Sequence, residues 1–298
     1  MKLKMVGLGK MGLNLALNMK EHGVDVEGFD VNEEARKKAE SENIKTYASL
    51  EDVASKDEKN VIWVMLPAGK ITNSVLLQLV ELCKANDIVI DGGNSDHRDS
   101  LKTAHLMEEK GIYFFDIGTS GGVYGARHGA SFMCGGDPDV FKNELQKMLE
   151  SIATTNGCLY TGKTGSGHYL KMIHNAMLYG YMQTLGEGFE LLEKSEFDYD
   201  LQNVADSLSK SSVIRGWLLE LAADAFKKDP DLSKIKGVVG ASKTTGWTIE
   251  SACELGVPIP VISTSLMTRL RSKQDDSFSA KVIASLRDEV GGHKAQSK

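Results

Sequence analysis

Residues 3–6 read as a short buried strand, and Gly7-Leu8-Gly9-Lys10-Met11-Gly12 follows at once, opening an amphipathic run, LNLALNMKEHG, that stops at Gly23. Strand, GxGxxG and helix in immediate succession leave a chain few folds to choose from. The glycines allow a tight turn and bring the helix N-terminus against a pyrophosphate, whose charge meets the free N–H groups of the first turn. A bare GxGxxG is weak evidence, since glycine-rich turns are common. Here the next strand, VDVEGFD, ends at Asp30, 18 residues beyond Gly12, where the dinucleotide fingerprint expects an acid for the ribose hydroxyls. Four elements in register predict dinucleotide binding by Gly7, Leu8, Gly9, Lys10, Met11, Gly12 and Asp30. Taken alone, Asp30 also reads as a helix cap before Asn32-Glu33-Glu34. A carboxylate there hydrogen-bonds a 2'-hydroxyl and repels a 2'-phosphate, and Val31 and Asn32 supply no cation, so NAD is expected over NADP.

The α/β pattern continues: VIWVMLP (61–67) as a strand, a helix through SVLLQLVELC, and NDIVIDGGNS as a strand running into a glycine-rich loop. Another helix to Gly111 follows, then the strands IYFFDIGTSGG and ASFMCGG. This alternation predicts a doubly wound, Rossmann-like, mostly parallel sheet ending near residue 160, within an α/β domain over residues 1–163. Ligands of such sheets sit beyond the carboxyl ends of the strands, where Leu66-Pro67-Ala68, Asp91 to Ser95 and Gly118 to Gly122 fall, and these loops are expected to ring the nicotinamide. From about Thr164 strand-like runs become rare. Helical patterns over 168–194, 201–209, 212–227, 244–256 and 260–271 predict an all-α domain over 164–298, and the closing GGHKAQSK reads as a tail with little fold of its own.

At about 100° per residue, Lys171, His174, Asn175, Leu178 and Tyr179 fall on one helical stripe. A lysine, an imidazole, an amide and a phenol make a poor core face, because each needs a partner when buried. Such a stripe suits a polar ligand; the other reading is a solvated face with one apolar anchor. A net charge of -6 with no basic run argues against a nucleic-acid or anionic-membrane surface, leaving a small molecule or another subunit as the expected partner. Cys83, Cys134, Cys158 and Cys253 are far apart, with no Cys/His cluster, so neither a disulfide framework nor a metal site is expected, and a reducing cytoplasm is the simplest home. No run of about 18 apolar residues exists, so nothing membrane-spanning or exported is expected.

GLGKMG, DGGNS, TSGGVYGARHG and GHYLKMIHN, with ELGVP and a terminal RDEVGGH, occur in that order. Together they resemble the decarboxylating 6-phosphogluconate dehydrogenases, specifically their short, mostly NAD-using form, over essentially the entire chain. DGGNS and KMxHN are the specific signatures; the wider beta-hydroxyacid dehydrogenases share the architecture and the lysine but typically lack DGGNS. The resemblance implies NAD-dependent oxidation and decarboxylation of 6-phosphogluconate to ribulose 5-phosphate, in the pentose phosphate pathway or gluconate use. It implies that Lys171 is the catalytic base, and that Asn94, Ser120, Gly121, Gly122, His174 and Asn175 hold the substrate's carboxylate and hydroxyls. Asn94 is also counted with Leu66, Pro67 and Ala68 at the cofactor. For the distal phosphate it points to Tyr179, Lys243, Arg269 and, from the tail of another subunit, Arg287, with His293 reaching into the neighbour's site. The second domain would then serve both substrate binding and oligomerisation, in a homodimer or homotetramer with composite sites. Outside the motif context, Arg269 and Arg287 read as surface helix charge.

The chemistry stands without the analogy. Hydride leaves a carbinol only if the hydroxyl proton is removed, and a lysine can do so if burial and neighbours lower its pKa towards neutrality. The resulting ammonium can polarise the new ketone, and a ketone beta to a carboxylate loses carbon dioxide as an enediol without a metal.

Two departures from the family matter. Three residues past the Asn of KMxHN the family has a glutamate that protonates the enediol carbon, and this chain has Leu178. The next acids on the helix, Glu187 and Glu190, lie about 13 and 18 Å further along at about 1.5 Å per residue, too far to stand in. Ser242 to Thr248, SKTTGWT, replaces an SGEGRWT-like loop, with Gly246 at the usual basic position and Lys243 offering the charge from a shifted one. An alternative is therefore a dehydrogenase of a related sugar acid or beta-hydroxyacid that does not decarboxylate. A third reading, from another class, is a sensor that binds NAD without turnover.

Overall fold

The computed structural model describes residues 1–54 and 57–292. By contacts the chain forms two compact units, Met1–His174 and Asn175–Lys298.

In the first unit, β1 (Lys2–Val6), α1 (Lys10–Glu21), β2 (Asp25–Phe29), α2 (Glu33–Ser41), β3 (Lys45–Tyr47), α3 (Leu50–Val53) and β4 (Val61–Val64) come first. They are followed by α4 (Lys70–Leu82), β5 (Ile88–Asp91), α5 (His97–Glu108), β6 (Tyr113–Ser120), α6 (Gly122–His128) and β7 (Ala130–Gly135). A helical stretch of α7 (Pro138–Val140), a π-helical turn (Phe141–Leu145) and α8 (Gln146–Ile152) leads to β8 (Ala153–Gly162). The strands make one eight-stranded sheet in the order β3-β2-β1-β4-β5-β6-β7-β8. This is the expected doubly wound, mostly parallel sheet: every neighbouring pair is parallel except β6 and β7. The exception follows from length. A parallel crossover needs about a dozen residues or more, and the link from Ser120 to Ala130, containing only the short α6, falls short of that.

Period-two patterning covers both faces. Leu3, Met5, Trp63, Ile88, Ile90, Phe115 and Ile117 enter one apolar cluster, while Val6, Ile62, Val64, Val89 and Phe114 enter another. A parallel sheet buried on both sides needs such near-continuous apolar strands.

The last element of this unit is the start of α9 (Ser166–Lys194), whose later residues belong to the second unit. There follow α10 (Leu201–Ser211), α11 (Trp217–Lys228), α12 (Lys243–Leu255), α13 (Pro260–Arg271) and α14 (Phe278–Gly291). Local signals set these helices: Ser242 caps α12, left-handed Gly256 ends it, and Pro260 opens α13. The helix expected over 212–227 begins only at Trp217, after Gly216. The helix α14 was not among the expected ones; Ser277 caps its first turn by accepting from the Ala280 N–H, and none of its residues is buried. Ala205, Ala223 and Phe226 form a small core, with Phe189 and Leu201 against it. No helix among the described residues is long and apolar enough to cross a membrane.

Candidate active site

The fingerprint loop is shaped by contact. A Cβ on Gly12 would collide with the Gly7 carbonyl oxygen, and one on Gly7, which has φ +99°, would stand 2.8 Å from Leu66 Cδ2. Gly9, by contrast, faces open space at the cap of α1, where a ligand can approach the helix N-terminus. Asp30 ties the loop down from the end of β2: its carboxylate accepts the Leu8 N–H at 2.8 Å and the Asn32 N–H at 2.8 Å. One lone pair on each oxygen remains for a ribose hydroxyl. Asn32, not Asp30, caps α2, accepting from the Glu34 N–H. Sequence reasoning found no cation here, but Arg36, on the first turn of α2, donates to the Asp30 carbonyl at 2.6 Å.

A cavity of about 310 Å³ opens beside this loop, lined by Gly9, Lys10, Met11, Gly12, Leu66, Pro67 and Asn94, with Met65, Gly92, Gly93 and Thr119. Most of the residues expected at the cofactor thus meet around one space; Ala68, exposed, is not among its walls. DGGNS makes its far side because its glycines let the chain pass close. A Cβ on Gly92 would stand 2.9 Å from Trp63 Cε2, and one on Gly93 2.7 Å from the Leu66 carbonyl oxygen. The Asp91 carboxylate accepts the Gly93 N–H at 2.9 Å, and Asn94, left-handed at φ +56°, turns its Oδ1 to the Thr119 N–H at 3.3 Å. The Thr119 hydroxyl is buried without a hydrogen-bond partner on this wall, a polar group available to a ligand. The residues present fit a dinucleotide.

The catalytic candidates of the first unit lie along β6 and the start of α9. Lys171 is 5% exposed, and burial lowers its pKa to about 8. Its Nζ is 3.5 Å from His174 Nδ1, and His174 Nε2 is 3.3 Å from Ser120 Oγ. Past Ser120, Gly121 (φ +124°) and Gly122 (φ +62°) turn the chain into α6; a Cβ on Gly121 would stand 3.0 Å from Gly125 Cα.

Asn175 opens the second unit, half-buried. Within that unit the Arg269 guanidinium lies over the Tyr179 ring, 3.9 Å from its centroid, and donates to the Gly240 carbonyl at 2.8 Å. Arg269 is 8% exposed and is therefore no surface charge. Lys243 is exposed at the first position of α12, and Arg287 is exposed on α14. His293 lies outside the described residues. Sequence reasoning also passed over Asp116, Ser100 and His168, all buried around the start of α9; an acid inside the apolar run FFDIG was the available signal.

A dinucleotide loop with an acid closing it defines an NAD-binding oxidoreductase. Its family is given by two matching models: the NAD binding domain of 6-phosphogluconate dehydrogenase over residues 2–162, and the 6-phosphogluconate dehydrogenase C-terminal domain over 167–296. The chain belongs to the 6-phosphogluconate dehydrogenase family, and its cofactor is NAD. A Bacillus subtilis protein, YqeC, named provisionally as a 6-phosphogluconate dehydrogenase, is 43% identical, covering 100% of both chains. An NAD(+)-dependent, decarboxylating 6-phosphogluconate dehydrogenase of Haloferax volcanii is 38% identical over 100% of this chain and 99% of its own. Among solved structures, Plasmodium falciparum 6-phosphogluconate dehydrogenase superposes with TM-score 0.82 at 27% identity, covering 98% of this chain and 65% of its own.

Proposed function

We propose that this chain oxidises and decarboxylates 6-phosphogluconate to ribulose 5-phosphate with NAD, using Lys171 as the general base. The observation that carries the reading is the buried amine: with its pKa at about 8, a useful fraction of Lys171 is neutral near physiological pH and able to take the hydroxyl proton. The fingerprint loop would hold NAD, which would supply the hydride acceptor. Asp30 would hold the ribose, and the N-terminus of α1 the pyrophosphate. Ser120, Gly121, Gly122, His174, Asn175 and Asn94 would hold the carboxylate and hydroxyls of the sugar acid. The proton taken by Lys171 would then polarise the new carbonyl, and carbon dioxide would leave from the carbon alpha to it, the electron pair of the broken bond passing into the carbonyl to give the enediol, which takes a proton at that carbon.

For the phosphate, we assign Tyr179, Lys243 and Arg269, with Arg287 and His293 from another subunit. A lysine at the first position of α12 sits at the positive end of the helix dipole, which disfavours it unless an anion joins it. Arginine offers a fork for two phosphate oxygens at once. The test is the stoichiometry of purified protein with NAD and 6-phosphogluconate, which should yield NADH and carbon dioxide in equal amounts. A second reading, dehydrogenation without decarboxylation of a related acid, is favoured by Leu178 and by the altered loop of residues 242–248; NADH without carbon dioxide would establish it.

A further inference from the structure

Asp116 belongs to none of the motifs that define the family here, yet it is fully buried in the middle of β6. Such a carboxylate is costly unless its lone pairs are filled. Its oxygens accept the Gly165 N–H at 2.7 Å and the His168 N–H at 2.7 Å, two of the groups a helix start leaves without intrahelical partners. A negative charge here would also stand at the positive end of the α9 dipole. Burial holds the carboxyl above its ordinary range, an upward push that His168 and the two N–H groups offset only in part. His168 is in turn buried and paired through Nδ1 with Ser100 Oγ at 2.8 Å. The approach is flush: a Cβ on Gly167 would collide with the Asp116 carbonyl oxygen, and one on Gly135 would stand 2.6 Å from Asp116 Oδ1.

Three contacts in series then join strand to helix. Asp116, Gly118 and Ser120 alternate onto one face of β6 and meet, in order, Gly165 with His168, Lys171, and His174. Four residues of strand rise about 13 Å, and the nine from Gly165 to His174 rise about 13 Å as helix, so the two climb in step.

We propose that Asp116 is a positioning residue, pinning the first turn of α9 to β6 so that Lys171 is held against Gly118, shielded from water. The inference rests on the reading of Lys171 as the base. The titratable group in contact with the Lys171 amine is His174 on its own helix, and burial is what holds the lysine low. Loosening that turn admits water and raises it.

The experiment measures the pH dependence of Lys171 acetylation by acetic anhydride, resolved by peptide mass spectrometry, in the full chain and in Asp116→Ala and Asp116→Asn. In the unsubstituted protein the midpoint should lie at about 8. It should rise by about one unit or more in Asp116→Ala, with a tenfold or greater loss of kcat and little change in the KM for NAD. Asn keeps one acceptor, so its shift should be smaller but in the same direction, and that variant decides the matter should the alanine variant not fold. A midpoint that stays at about 8 or falls in folded variants, with only the melting temperature lowered, overturns the proposal. Absence of turnover in the unsubstituted protein would sink the dehydrogenase reading while leaving the acetylation midpoints to judge Asp116.

Discussion

Gly118 lies against Lys171 so closely that a Cβ on the glycine would collide with Lys171 Cβ and stand 2.8 Å from its Cγ. Neither partner can yield cheaply, since Gly118 is inside β6 and Lys171 is inside α9. Gly118→Ala should therefore displace the amine by about 1 Å, a misplacement that costs about a hundredfold in rate. The fingerprint loop hangs from β1, and β6 reaches the cofactor cavity only at Thr119, so NAD affinity should fall far less than kcat. Steady-state kinetics beside an NAD titration separates the two quantities, and near-normal kcat would mean that the helix shifts without consequence.

Lys171 must be neutral to act as a base. With its pKa at about 8, kcat/KM should climb with pH through that value and level off above it. The same shift is a stability cost. The folded chain binds this proton less tightly than the unfolded one, whose lysine keeps the ordinary 10.5, so stability rises with pH from about 8 to 10.5. Below that window the deficit is about 3 kcal/mol. Lys171→Met should abolish turnover by orders of magnitude, spare NAD binding and raise stability to urea by a few kcal/mol at pH 7, the gain fading towards pH 10.5. A methionine variant less stable than the unsubstituted chain would contradict the burial account.

Much of this was legible in the residues because period and glycine spacing carry it. GxGxxG followed by Asp30 specifies a loop that the structure builds with the Asp30 carboxylate on the Leu8 N–H. DGGNS reads as a strand end because only glycine can pass beside Trp63 and Leu66. What was not legible depends on partners distant in sequence. Arg36 is one of several charges on α2, and only the turn of that helix sets its guanidinium on the Asp30 carbonyl. Asp116 and His168 are 52 residues apart and meet only because α9 returns along β6. The antiparallel turn of β7 follows from a short link whose length, rather than its composition, decides the direction.

Asp30 and Arg36 together make a test of cofactor choice. Asp30→Ser removes the charge that repels a 2'-phosphate and leaves the Arg36 guanidinium at the end of β2. NAD affinity should fall about tenfold to a hundredfold with the lost charged hydrogen bonds, while NADP turnover becomes measurable. Adding Arg36→Met should remove the NADP turnover; if it does not, Arg36 is not the cation that receives the phosphate.

Leu178 is half-buried where the family resemblance places an acid. A positioned acid contributes about a hundredfold or more where proton transfer is rate-limiting. If protonation of the enediol limits this enzyme, Leu178→Glu should raise kcat on 6-phosphogluconate about tenfold with NADH and carbon dioxide still equimolar. Unchanged or lower turnover would show that the site is built around the leucine and takes its proton elsewhere.

Assigned to the phosphate, Arg269 would bind what does not react. Its guanidinium is committed to the Tyr179 ring and the Gly240 carbonyl, which fixes its plane while leaving donors over. A group that grips substrate and transition state alike affects KM and leaves kcat alone. Arg269→Lys keeps the charge but loses the fork, so the KM for 6-phosphogluconate should rise about tenfold to a hundredfold, equivalent to about 1.5–3 kcal/mol for a charged hydrogen bond. Gluconate, which carries no phosphate, supplies the control: its turnover should be poor in both proteins and insensitive to the substitution. An equal loss on gluconate would place Arg269 among the residues that hold the helices together, and the phosphate would have to be met by Lys243 and its neighbours on α12.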